Sequence, residues 1–99
     1  VRKTPARGET RHDAGDKLVV FLESAFQLLK NGGRVFLIYP AGELADLFSA
    51  LRQRRLEPKR VRFVYAKAGG DALRVLVEAK KLGKAGLTVL PPLIIGAEI

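Results

Sequence analysis

The side chains able to do chemistry in this chain are few, and they are not grouped. His12 is the only histidine and there is no cysteine, so nothing stands beside it to complete a metal site. Without thiols there is no disulfide framework and no thiolate nucleophile, a pattern that suits a cytoplasmic protein. Glu43 and Asp46 fall on the outer face of a predicted helix, which leaves no facing carboxylates for acid and base work. Ser24 and Ser49 have no histidine placed to activate them, which argues against a self-sufficient hydrolase. Gly69-Gly70 and Gly83-Lys84-Ala85-Gly86 are too sparse to cradle a phosphate or nucleoside and read as turns.

Positive charge is what the sequence holds in abundance. Eighteen Lys and Arg against ten Asp and Glu give a net charge of +8. Each cation near a phosphate releases condensed counterions, which favours nucleic acid as a partner. Taken alone, the charge is equally well explained as a surface that keeps a small protein soluble. The densest basic run is Arg52, Arg54, Arg55, Lys59, Arg60 and Arg62; its first part ends a predicted helix, where the dipole welcomes cations, and reads as a solvated helix end. Arg2, Lys3, Arg7 and Arg11 lie in a segment almost without apolar side chains and are the better candidates for RNA contact. A single-stranded RNA also needs aromatic side chains on which to stack, and Tyr39, at the end of a strand, is the candidate.

These residues must be positioned by one compact unit, since 99 residues at 47% hydrophobic content bury one core and not two. Residues 1–16 carry charge and glycine and read as a basic loop or mobile arm. From 17 to 30 the apolar Leu18, Phe21, Leu22, Ala25, Leu28 and Leu29 recur at helical spacing, and Asn31-Gly32-Gly33 stops that helix by closing its last carbonyls. Residues 35–39, an unbroken apolar run, predict a central parallel strand buried on both faces. Leu44, Leu47, Phe48 and Leu51 predict a helix over 42–55. Residues 61–65 and 73–77 predict two strands joined by a short hairpin loop. Strand 35–39, the helix and strand 61–65 then form a right-handed crossover unit with the two strands side by side, and 73–77 returns antiparallel. Pro91-Pro92 keeps the last apolar segment out of any central strand and predicts an extended tail lying on the body. The longest apolar run is far short of the roughly 20 residues a membrane helix needs, and the basic start is followed by polar sequence where a signal peptide would be apolar. A first residue other than Met suits a piece of a longer polypeptide.

The helix-to-strand junction Leu28-Leu29-Lys30-Asn31-Gly32-Gly33-Arg34-Val35 resembles the "LLKPGG" phrase before the fifth strand of class I S-adenosylmethionine-dependent methyltransferases, with Asn31 where Pro is usual. The hairpin at 61–77 resembles their terminal antiparallel pair. Three further phrases resemble the bacterial tRNA adenine-N6 methyltransferase family that acts on the valine tRNA anticodon loop. Thr10-Arg11-His12-Asp13 is similar to its "ARHE", Leu56-Glu57-Pro58-Lys59-Arg60-Val61-Arg62-Phe63-Val64 to its "LEPKRLRFVH", and Leu76-Val77-Glu78-Ala79 with Gly86-Leu87-Thr88-Val89-Leu90-Pro91-Pro92-Leu93 to its "LVEA…GLKVLPPL".

The resemblance covers nearly the whole chain. It implies an α/β fold that is the C-terminal half of a Rossmann-like class I methyltransferase sheet, ordered helix, parallel strand, helix, strand, antiparallel strand. It implies S-adenosylmethionine as cofactor of the complete enzyme and an RNA, a tRNA, as substrate. It gives Arg11-His12-Asp13 a role in orienting a substrate phosphate or base, and makes Val1-Arg2-Lys3 the start of a basic loop following the "NPPY"-type motif. That motif, the glycine-rich turn after the first strand and the acidic residue ending the second are absent, so the sequence offers no catalytic, cofactor or metal residue. The expected partners are RNA and either the missing N-terminal half or a second copy paired through the exposed sheet edge. The competing reading is a free-standing basic α/β module that binds nucleic acid and catalyses nothing.

Overall fold

The structure, a computed structural model, describes the backbone of residues 5–96 and the side chains of residues 16–96. Its first element is the helix α1 (Pro5–Leu28), which begins well before the expected start at residue 17. The segment expected as a loop or arm is thus helical from Pro5 onward. Ala6, Arg7, Glu9 and Arg11 are good helix formers. A stretch without apolar side chains builds no core, but that does not stop it from continuing a helix.

Among the described side chains, α1 meets the body through the fully buried Leu22 and the partly buried Leu18 and Phe26, joined by Leu29 just past its end. Its C-terminus is closed differently from the glycine cap expected. The Lys81 ammonium donates to the carbonyls of Phe26 at 2.6 Å and Leu29 at 2.8 Å, and lies 4.1 Å from the centre of the Phe26 ring. The glycines instead make the turn into the sheet. Gly32 takes a φ of +83°, a conformation costly for residues with a Cβ, and the Gly33 amide bonds back to Lys30 at 2.8 Å. A Cβ on Gly33 would sit 2.9 Å from that same carbonyl oxygen.

The chain continues through β1 (Arg34–Pro40), a short 3-10 turn (Ala41–Glu43), α2 (Leu44–Gln53), β2 (Leu56–Tyr65), β3 (Ala72–Lys81), β4 (Thr88–Val89) and β5 (Leu93–Ile94). The strand order is β1-β3-β2-β4, with β5 also on β2. This corrects the expected pairing: β1 and β2 run parallel, but β3 is inserted between them and is antiparallel to both. Cross-strand pairs select this order. Glu78 of β3 has Phe36 and Arg60 as its direct neighbours, and its carboxylate takes Arg34 from β1 on one side and Arg60 from β2, at 3.5 Å, on the other.

The corrected order makes β1 an edge strand. Its even-numbered residues are exposed, and Val35, Leu37 and Tyr39 are half-buried. Phe36 and Ile38 remain 69% and 72% exposed, so β1 is not buried on both faces. The other sheet face carries the core, in which Leu22, Leu47 and Leu51 from the helices pack with Leu56, Val61, Val75, Val77 and Ala79.

Both hairpin strands are ten residues long, longer than the apolar runs indicate. Pro58 is accommodated in β2 because the ladder is irregular between Pro58 and Arg60, and proline within sheets is confined to such places and to edges. The tail adds to β2 in two pieces. Thr88 and Val89 pair parallel with Arg60 and Val61, and Leu93 and Ile94 with Val64 and Tyr65. The stretch holding Pro91-Pro92, which cannot donate, separates them.

Candidate functional site

Of the residues read as RNA contacts, Arg2 and Lys3 lie outside the described residues. Arg7, Arg11 and His12 stand on α1, with Arg7 and Arg11 one helical turn apart, and their side chains also lie outside the described residues. Tyr39 is half-buried, opposite Val75 in the ladder, and packs against the core. Burial raises its phenol above the ordinary tyrosine value, and the nearby Glu43 and Asp46 carboxylates raise it further. Those carboxylates also make the surroundings of Tyr39 unfavourable to a phosphate.

The basic run is largely committed to internal partners. Arg52 grips Glu57 through Nε, 3.2 Å from both carboxylate oxygens, and through Nη2 at 2.7 Å; this hydrogen bonding, followed by the charge of Glu57, raises the arginine's pKa. Arg54 donates to the Ala50 carbonyl at 3.0 Å. Its Nε is shielded from solvent and 3.8 Å from Glu23, too far for a hydrogen bond. Lys59 donates to the Lys84 carbonyl and Arg62 to that of Pro91, both at 2.7 Å. Arg52 and Arg54 therefore tie the end of α2 to Glu57 and to the Ala50 carbonyl.

In open α/β sheets, ligands sit beyond the carboxyl ends of the parallel strands. Here β1 ends in the 3-10 turn and β2 in the hairpin loop 66–71. Gly42 lies in that turn with no atom within 4 Å of where a Cβ would be, so its bare backbone makes room for nothing packed against it. Among the described residues no three His, Asp or Glu side chains gather to hold a metal. No helix among the described residues is long and apolar enough to cross a membrane.

The surface that sequence reasoning missed is the uncovered sheet face. A groove of about 510 Å³ runs over it, lined among others by Phe36, Ile38, Leu76 and Leu90 with Arg60, Arg62 and Glu78. The only signal available was the run at 35–39, which tells that a strand is apolar on two sides but not which side is covered.

No protein-family model matches the chain, and no curated protein matches it. A solved structure that does is the crystal structure of a predicted O-methyltransferase from Agrobacterium tumefaciens. The two superpose with a TM-score of 0.70 at 28% identity, over 78% of this chain and 36% of that one. The chain thus spans little more than a third of the length of that structure. Its mixed sheet and two helices are a methyltransferase-like fold fragment.

Proposed function

We propose that this chain is part of an S-adenosylmethionine-dependent methyltransferase domain whose complete form methylates RNA, with an adenine N6 of tRNA as the acceptor. The observation that carries the methyltransferase reading is the superposition on the predicted O-methyltransferase across most of the chain. RNA as substrate draws on the net charge of +8 and on α1, which carries Arg7, Arg11 and His12 away from the core-anchored stretch around Leu22. Adenine N6 draws on the phrases at 10–13, 56–64, 76–79 and 86–93. The acceptor atom is where these phrases and the neighbour's oxygen chemistry diverge.

In this reading the chain supplies scaffold and acceptor contacts, while S-adenosylmethionine supplies the methyl group from a site built by other residues. The free edge of β1 is where the rest of the domain, or a second copy, continues the sheet by strand pairing.

The test is transfer of labelled methyl from S-adenosylmethionine to unmodified tRNA by the full encoded protein, followed by nucleoside separation. Label in N6-methyladenosine is the expected result. Label on a ribose oxygen or on a small-molecule hydroxyl would overturn the substrate, and no transfer to any acceptor would overturn the enzyme reading. Calorimetry of the 99 residues alone should show no micromolar affinity for S-adenosylmethionine. Such affinity would show that the cofactor site lies within this chain.

A further inference from the structure

The net charge of +8 is not spread over this molecule. Residues 29–34, 52–60 and 78–86 hold ten of the eighteen Lys and Arg and two of the ten Asp and Glu, while the remaining residues balance eight against eight. The whole excess belongs to these three segments, and the fold brings them to one place, the end of the sheet where β1 and β2 begin and β3, α1 and α2 finish. Backbone bonds join them there. The Gly32 amide donates to the Lys81 carbonyl at 3.0 Å, the Lys81 amide to the Gly33 carbonyl at 2.8 Å, and the Leu82 amide to the Arg55 carbonyl at 2.9 Å. The Lys59 ammonium holds the Lys84 carbonyl. Both acids of the three segments are engaged, Glu57 by Arg52 and Glu78 by Arg34 and Arg60. Among the described residues, Lys30, Arg55, Lys80 and Lys84 make no ion pair, and all but Lys80 are exposed.

We infer that this cationic pole binds the sugar-phosphate backbone of RNA, at the end of the sheet opposite the carboxyl ends of β1 and β2. Like charges gathered by a fold raise a positive potential that recruits a polyanion. Surface chemistry decides which polyanion. Leu82 is the only large apolar side chain exposed in the three segments, so a protein partner would find no apolar centre to bury. The segments contain no aromatic residue, so bases have nothing to stack on and the contact is blind to sequence. The seven residues of β1 put about 23 Å between the two ends of the sheet, so the pole holds a stretch of RNA remote from any acceptor placed beyond the carboxyl ends. The pole is built wholly from loops and element ends of this chain and does not involve the free edge of β1 or the uncovered sheet face. RNA as the nucleic acid rests on the reading above; the position of the pole does not.

The experiment is fluorescence anisotropy of a labelled RNA hairpin with the full encoded protein at several salt concentrations. Neutralising a phosphate with each cation contributes about 0.7–0.9 to the slope of log K against log salt. The triple variant Lys30→Gln, Arg55→Gln and Lys84→Gln should therefore make that slope shallower by about 2 and weaken binding at least tenfold at about 0.1 M salt. The double variant Lys67→Gln and Arg74→Gln, at the other end of the sheet, should leave the slope as it is, and two hairpins of unrelated sequence should bind alike. Circular dichroism melts check that both variants fold. A slope unchanged in the folded triple variant, or lowered as much per charge in the double variant, would overturn the inference. So would an oligoglutamate of equal charge that binds more tightly than the RNA. Methyl transfer is assayed separately, so loss of that activity reading leaves these outcomes as they stand.

Discussion

Replacing Lys81 by Met removes the charge that closes α1 while keeping an apolar stem of similar length. Three contributions disappear together. The ammonium makes two short hydrogen bonds to the carbonyls of Phe26 and Leu29, and hydrogen bonds to charged groups are worth about 1.5–3 kcal/mol each. Partial exposure lets water replace part of this, so the lower end applies. A cation at a helix C-terminus adds about 0.3–1 kcal/mol, and its position over the Phe26 ring about 0.5–1 kcal/mol. These gains share one charge and do not add fully, so Lys81→Met should destabilise by about 2–3 kcal/mol. For a chain of this size that is a fall in Tm of roughly 10–20 °C. Urea denaturation gives the free energy, and hydrogen exchange at the Leu29 amide, bonded to the Ala25 carbonyl, reports the last turn of the helix. Phe26→Leu, which removes only the ring beneath the cation, should cost less than Lys81→Met. A loss below about 0.5 kcal/mol for Lys81→Met would refute the clamp, because even the weaker of the two hydrogen bonds should exceed that.

Gly33→Ala should cost about 1–3 kcal/mol in the same denaturation assay, since the new Cβ would sit 2.9 Å from the Lys30 carbonyl oxygen and 3.1 Å from the Leu29 side chain, with little room to yield. Arg55 has a φ of +59°; Arg55→Gly should leave stability unchanged or raise it slightly, while Arg55→Val should lower it by about 1–2 kcal/mol because a β-branched residue is strained there. The Tyr39 phenol is held above its ordinary value by burial and then by Glu43 and Asp46, so the folded state keeps this proton more tightly than the unfolded state. The associated stability is fully present below about pH 10, the unfolded value, and is lost as pH rises through the folded value. Tyr39→Phe should therefore flatten the alkaline fall in Tm above pH 10, and the difference in phenolate absorbance between wild type and variant should have its midpoint above 10.

Much of this architecture was legible in the residues. Leu44, Leu47, Phe48 and Leu51 point to the face that α2 buries, and the short glycine-bearing loop at 66–71 pairs β2 with β3 as expected. Pro91-Pro92 correctly forbade a continuous strand, although it did not reveal that Thr88 and Leu93 pair with β2 on either side of it. The order of the strands was not legible, because a hairpin fixes only one neighbour of β3 and the other is settled by partners distant in sequence. The double grip on Glu78 is a feature of that kind: Arg34 and Arg60 are ordinary surface arginines until the sheet is assembled. The cap on α1 was hidden for the same reason, since Lys81 lies more than fifty residues from the carbonyls it holds. Of the candidate site, Tyr39 was legible as a strand-end aromatic, but its burial depends on which face the helices cover. The run 35–39 does not encode that.

The two ends of the sheet differ in what they can join. On the β2 side the outermost positions are held by β4 and β5, two residues each, with an interruption between them that carries no amide hydrogen at Pro91 or Pro92. No incoming backbone finds a continuous template there. On the other side β1 offers seven residues in register at the end of the strand order. Among the described residues the sheet therefore has a valence of one. Head-to-tail growth needs two different, mutually complementary ends, and among the described residues the sheet has a single competent end, open to a foreign strand or to its own twofold mate. Two copies paired through β1 would present only their proline-interrupted sides among the described residues, and those sides give strand pairing no continuous template for a third.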